Sequence, residues 1–209
     1  MTTQENLVSI KLKYQSEYGI NFDDRVFYIF GELMFDLGTQ LRLKFDILET
    51  WYKEVLKKDI EDITLDICSQ GGEIYSMTAA LDFYNELKER GILVNTRAQG
   101  ICMSAATVVL SGGTGKRTAH KNTKFMLHDM QISGVDGTAN QVKHIAKVLT
   151  DDQMEMFTFY AKFSSKEELS EAQLKLEGKK WHKKFTKNNE DHYISAKKML
   201  EIGLIDIIL

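Results

Sequence analysis

Three short segments hold residue types that could act together in nucleophilic catalysis. In Gly100-Ile101-Cys102-Met103-Ser104-Ala105-Ala106 a serine stands at a turn leading into a helix, where its hydroxyl can face a cleft and unbonded helix amides lend positive potential. His128 closes the short apolar run Phe125-Met126-Leu127, at the strand end where an α/β sheet opens its loops. The paired Gly71-Gly72 follows an alternating strand and could offer backbone amides to a developing oxyanion, since glycine lets the main chain approach closely and turn freely. Each segment alone has a plainer account: an N-cap serine, a structural histidine, a tight turn.

The elements that must carry these residues decide whether they meet. Val26 to Phe30 reads as a strand buried on both faces, after an arm or loop over residues 1 to 22. Leu41, Phe45, Leu48, Tyr52 and Val55 repeat at helical spacing. Ile63 to Cys68 alternates as a strand does, and Ile74, Met77, Leu81, Tyr84 and Leu87 return to the helical period, ending near Gly91. Leu93 to Ala98 is the next strand, and Ser104 to Leu110 follows its turn. Strands and helices alternating in this way imply βαβ crossovers and a mostly parallel sheet. The Gly-Gly turn, the Ser104 turn and the His128 loop then lie at the carboxyl ends of successive strands, in one cleft.

Beyond a glycine-marked segment from Ser133 to Gly137, Val142, Ile145, Leu149, Met156, Phe159 and Phe163 hold one helical face. That face spans a helix of about 37 Å, long enough to project from the core. Tyr193 to Leu209 reads as a strand, a short helix ending at Gly203 and an apolar terminus.

Composition narrows the class. The 209 residues suit one domain. A net charge of -3 asks for neither nucleic acid nor an acidic membrane. Cys68 and Cys102 sit in no metal-ligand spacing, which predicts reduced, buried thiols and no metal. The first residues lack the apolar stretch of a signal peptide, and no run approaches the roughly 20 apolar residues of a membrane helix. A cytoplasmic protein is expected. Proline is absent, so glycines mark the boundaries.

From about Phe27 to Leu209 the sequence resembles the proteolytic subunit of the Clp protease, the ClpP-like serine peptidases. That family carries Ser-Pro-Gly-Gly where this chain has Ser69-Gln70-Gly71-Gly72, and Gly-x-Ala-Ala-Ser-Met where it has Gly100 to Ala105. An apolar pair, His, Gln, Pro stands against Met126-Leu127-His128-Asp129-Met130, and Gly115-Lys116-Arg117 matches the family's Gly-Lys-Arg. Near the end, Asp-x-Phe-x-Ser-Ala is similar to Asp191-His192-Tyr193-Ile194-Ser195-Ala196, and Tyr-Gly-Leu-Ile/Val-Asp to Ile202-Gly203-Leu204-Ile205-Asp206.

The resemblance implies a crotonase/ClpP-like α/β spiral of repeated ββα units in a single domain, residues 1–209, with an N-terminal arm (1–25) and a projecting handle helix (139–163). It makes Ser104 the nucleophile, His128 the general base and Asp191 the carboxylate that holds the imidazole tautomer. It places the oxyanion against backbone amides of Gly71, Gly72 and Ala105. No cofactor is implied. The partners implied are a peptide or unfolded-protein substrate, further copies in two stacked rings, and an AAA+ unfoldase, with neither nucleic acid nor membrane. The family segment that gates the pore and meets the unfoldase is not recognisable in residues 1 to 25.

The chain departs from the family at Gln70 in place of proline, Ala105 in place of methionine and Asp129-Met130 in place of Gln-Pro. Asp129 beside His128 could raise its proton affinity or compete with Asp191. Two other functions fit less of the sequence: a catalytically silent ring subunit, and a crotonase-like acyl-CoA enzyme, which shares the spiral but needs no serine and histidine here. Lys175, Lys179, Lys180, Lys183, Lys184 and Lys187, with Trp181 and Phe185 between them, read as a solvated or inter-subunit face. His144 and His182 read as surface residues.

Overall fold

The computed structural model describes residues 3–131, 134–186 and 191–209. Ser133 and Lys187, named above, lie outside them. The chain begins as a helix, α1 (Thr3–Tyr18), where an arm or loop was expected. Its apolar residues face more than one side, Leu7 and Ile10 on one and Val8 and Leu12 on another, so no single apolar stripe announces it; Tyr14 anchors it edge-on to Phe22 at 5.9 Å. A short β1 (Ile20–Asn21) then pairs antiparallel with β2 (Val26–Leu33).

From β2 the sheet is parallel, through β3 (Ile63–Gly72) and β4 (Val94–Met103). The crossovers are α2 (Leu37–Trp51), which passes into a π turn at Tyr52–Leu56, and α3 (Ile74–Glu89). These two helices approach so closely that a β-carbon on Gly38 would lie 2.7 Å from that of Ala79. β2 is not buried on both faces as expected: Phe27 and Ile29 are covered, while Phe30 is 63% exposed and stacks on Tyr28. In β3, Asp66 is buried because Arg97 and Gln99 of β4 donate to its two oxygens at 2.6 and 3.1 Å.

Bulges break the register after Phe30 and after Ile67, and Gly31 and Gly100 take positive φ there. β4 changes partner along its length. Its first half pairs with β5 (Arg117–Ala119), its second with β6 (Lys124–Leu127), both parallel. Between β4 and β5 lies α4 (Ala105–Ser111), seven residues that are all buried.

Two longer helices follow. α5 (Ala139–Ser164) and α6 (Glu171–Phe185) each start from a capping box, Thr138/Gln141 and Ser170/Gln173. The buried residues of α5 are Met156, Phe157, Tyr160 and Ala161, all in its later part. α6 was not anticipated as a helix. The aromatics of the lysine-rich segment are its packing face: Phe185 is buried, and Trp181 stacks on Tyr160 at 5.8 Å and on Phe185 at 5.2 Å. Its lysines point to solvent.

β7 (His192–Ser195) pairs antiparallel with β6, and α7 (Ala196–Glu201) leads to β8 (Ile207–Ile208), parallel to β5. One apolar cluster runs from Ile20 to Ile205 and takes in α5 and α6. Cys102 is fully buried and Cys68 half-buried; both are unpaired thiols. Among the described residues no helix is long and apolar enough to cross a membrane.

Candidate active site

β3, β4 and β6 are neighbours, so the Gly-Gly turn, Ser104 and His128 emerge side by side at their carboxyl ends. Ser104 joins β4 to α4 with φ +52° and ψ −132°, a conformation disfavoured for any residue with a β-carbon. It occupies the N-cap position, yet its side chain caps nothing. The hydroxyl is turned instead to His128, whose Nε2 lies 2.7 Å from Oγ. The backbone holds the turn from both sides: Ser104 N–H donates to Met126 O at 2.8 Å, and Ser104 O accepts from the Thr107 N–H at 2.9 Å.

His128 is 14% exposed at its side chain. The β6–β7 register pairs Leu127 with His192, so one step further residue 128 faces residue 191. Asp191 Oδ1 stands 3.6 Å from His128 Nδ1, beyond hydrogen-bond length, and the buried Nδ1 has no partner among the described residues. An Nε2 that accepts the serine proton requires the tautomer with its hydrogen on Nδ1, the side facing Asp191.

Gly71 and Gly72 end β3 with φ of +98° and +153°. A β-carbon on Gly71 would lie 2.6 Å from Ser104 Cβ and 3.2 Å from Ala105 N; one on Gly72 would lie 2.2 Å from Leu33 O. Only glycine fits either place. The Gly71 N–H is directed to Ser69 Oγ at 3.0 Å, whereas Gly72 and Ala105 line the same cleft as Ser104 and His128. Gln70, in place of proline, sets its side-chain amide against Gly31 O and Glu32 N–H; with the amide assigned so that both are satisfied, the NH2 donates to Gly31 O at 3.3 Å and the carbonyl accepts from Glu32 N–H at 3.2 Å.

The cleft encloses about 480 Å³. Ile74, Met130, Val135, Leu149 and Met156 give it an apolar wall, and Glu32 and Glu73 line it as well. A larger hollow of about 620 Å³ lies between β2 and α2, but it is lined by no histidine.

Asp129 does not compete for His128. Its Oδ1 lies 3.0 Å from Nε2 of His182, which is half-buried between α5 and the loop after β6 and not the surface residue expected. Gln153 joins them, its Nε2 2.9 Å from the same ring nitrogen and its Oε1 accepting from Met130 N–H at 3.0 Å. The loop that follows the histidine is thereby tied to both helices.

The comparisons agree with this architecture. Residues 46–209 match the family profile described as Clp protease. The chain is 28% identical to an ATP-dependent Clp protease proteolytic subunit 2 from Corynebacterium diphtheriae over 201 residues, covering 93% of this chain and 92% of the relative. It is 27% identical to an ATP-dependent Clp protease proteolytic subunit from Bacteroides fragilis over 190 residues, covering 87% and 83%. A subunit 2 from Cutibacterium acnes is 32% identical over 146 residues, covering 69% and 61%. With a profile match over most of its length on a ClpP-like α/β fold, the chain belongs to the Clp protease family of serine peptidases.

Proposed function

We propose that this chain is the peptidase subunit of a Clp-type compartmentalised protease, itself independent of ATP, and that it hydrolyses peptide bonds of unfolded chains in the cytoplasm through an acyl-enzyme on Ser104. The observation that carries the reading is the 2.7 Å contact between His128 Nε2 and Ser104 Oγ at the floor of an open cleft. Ser104 Oγ attacks the scissile carbonyl as His128 takes its proton, and the tetrahedral oxyanion meets the backbone N–H groups of Gly72 and Ala105. The Gly71 N–H joins them when Ser69 releases it. His128 then gives its proton to the leaving amine, and water, activated by the same imidazole, frees the acyl group from Ser104. Asp191 orients the imidazole and stabilises its charged form; from 3.6 Å it needs to move less than ~1 Å to accept from Nδ1–H.

Assembly completes the reading. The sparsely buried first part of α5 is the surface that a second ring of the same chain would cover, and an ATP-driven unfoldase would deliver substrate. The apolar wall of the cleft favours an apolar side chain beside the scissile bond.

A second reading is a silent ring subunit that serves an active homologue, favoured by the open Asp191–His128 gap and the engaged Gly71 amide. Fluorogenic-peptide hydrolysis by the ring-sized fraction decides between them. Cleavage by wild type and none by Ser104→Ala supports the peptidase; rings of both that cleave nothing support the silent subunit.

A further inference from the structure

Behind Ser104, three oxygens form a chain of contacts within the core. Tyr160 of α5 places its Oη 2.6 Å from Thr107 Oγ1, and Thr107 Oγ1 lies 2.6 Å from the carbonyl oxygen of Ser104. Thr107 is fully buried and Tyr160 is 1% exposed. Their order of donation is fixed by inventory: a carbonyl can only accept, so the single hydroxyl proton of Thr107 goes to Ser104 O, and Tyr160 must donate to Thr107. Burial pushes the Tyr160 phenol well above its ordinary value, so it remains a donor at any working pH.

The receiving carbonyl is not an arbitrary one. Ser104 C=O and Ala105 N–H belong to one planar trans peptide, in which they point in opposite directions. A bond that holds the carbonyl toward the core therefore holds the Ala105 N–H toward the cleft that Ala105 lines. The peptide begins at a residue with φ +52° and ψ −132°, where the backbone is strained and rotation of this plane would relieve it. The Ser104 side chain does not hold the plane, because it is turned to His128; the carbonyl is held by two donors of one residue, the Thr107 N–H at 2.9 Å and the Thr107 hydroxyl at 2.6 Å, and the hydroxyl is the one backed by Tyr160.

We propose that Tyr160 is a positioning residue for catalysis, acting through Thr107 to fix the 104–105 peptide plane and so to aim the Ala105 N–H at the carbonyl under attack. The inference rests on the acyl-enzyme reading above. It ties α5 to the oxyanion donor by a path that touches neither the substrate nor the charged side chains.

The test uses the assembled protein and four variants: Tyr160→Phe, Thr107→Val, the two combined, and Thr107→Ser. The readouts are kcat and KM for a fluorogenic peptide, the rate of Ser104 labelling by a fluorophosphonate, and Tm. The expected result is a fall in kcat and labelling rate of roughly tenfold or more in Tyr160→Phe and Thr107→Val, with KM nearly unchanged. The double variant should be no worse than Thr107→Val, and Thr107→Ser, which keeps the hydroxyl, should stay near wild type. Should Tyr160→Phe fail to fold, the Thr107→Val and Thr107→Ser pair still decides. Wild-type kcat and labelling in Thr107→Val, whatever its Tm, overturns the proposal. A wild type that neither cleaves nor labels sinks the peptidase reading and this inference with it; a wild type that labels beside unaffected variants sinks this inference alone.

Discussion

Gly71 and Ser104 are packed so tightly that a β-carbon on the glycine would lie 2.6 Å from that of the serine and 2.8 Å from Met103 O. The turn after β3 and the turn after β4 thus set each other's position. Gly71→Ala must push them apart from a φ of +98°, which alanine itself resists. Overpacking of this kind costs about 1–3 kcal/mol. The expected outcome is a lower Tm and a loss of peptide hydrolysis of about 10²-fold or more, read by calorimetry and fluorogenic cleavage.

Ser104 stores strain that substitution can release. Ser104→Ala keeps the β-carbon and the strained backbone, whereas Ser104→Gly removes the conflict at φ +52°. Relief of a disfavoured conformation gains about 1–3 kcal/mol, and the extra freedom of glycine in the unfolded chain gives back about 0.4–1. Both variants should be inactive, with Ser104→Gly the more stable by about 1 kcal/mol. Denaturant midpoints that rank them the other way would refute stored strain at Ser104.

The two carboxylates near His128 should separate cleanly. On the acyl-enzyme reading, Asp191→Asn is expected to lower kcat by about 10²-fold or more, since it would remove the charge proposed to orient the imidazole. Asp129→Asn should act on kcat far less, because Asp129 is turned to His182. Steady-state kinetics on both variants checks this, and equal losses would show that the loop rearranges in the working enzyme.

Arg117 is a junction for the C-terminal end of the sheet. It donates to both oxygens of Asp206, at 3.1 and 2.5 Å, and to Phe163 O at 2.9 Å. Burial acts to raise the Asp206 pKa, but hydrogen bonds from Arg117 and its charge outweigh that, and the carboxyl sits below its ordinary value. Its stabilising effect is therefore full above the ordinary carboxylate range and fades as pH falls through the depressed folded value. Arg117→Met should cost about 1–2 kcal/mol at neutral pH after allowance for solvent screening. Unfolding midpoints of Asp206→Asn should fall less steeply with acid than those of wild type.

Much of this was legible from the residues. Strands β3, β4 and β6 end at glycine, serine and histidine, and a parallel sheet has to bring its carboxyl ends together, so the cleft followed from order alone. The likeness that added Asp191 is carried by short motifs that keep Gly71-Gly72, Ser104 and His128 although Gln70, Ala105 and Asp129 depart from them. Other features left no such trace. In α6, Leu174, Gly178, Trp181 and Phe185 recur at helical spacing after the Ser170/Gln173 box, but intervening lysines masked the pattern. α1 has no apolar stripe to detect. The link between Thr107 and Tyr160 joins uncharged residues 53 positions apart, and nothing in a sequence pairs two hydroxyls at that distance.

The uneven burial of α5 has an energetic consequence. Every fully covered residue lies from Met156 onward, while Val142 and Val148 are 40% and 38% exposed. Isolated helices are marginal in water, so the leading turns rest largely on their own backbone bonds and on the Thr138 cap. In a lone subunit their amide hydrogens should exchange with deuterium far faster than those around Tyr160, along one continuous helix. If a second ring covers those turns, as proposed, that gradient flattens, so the exchange rates along one helix would report, residue by residue, whether two rings have joined.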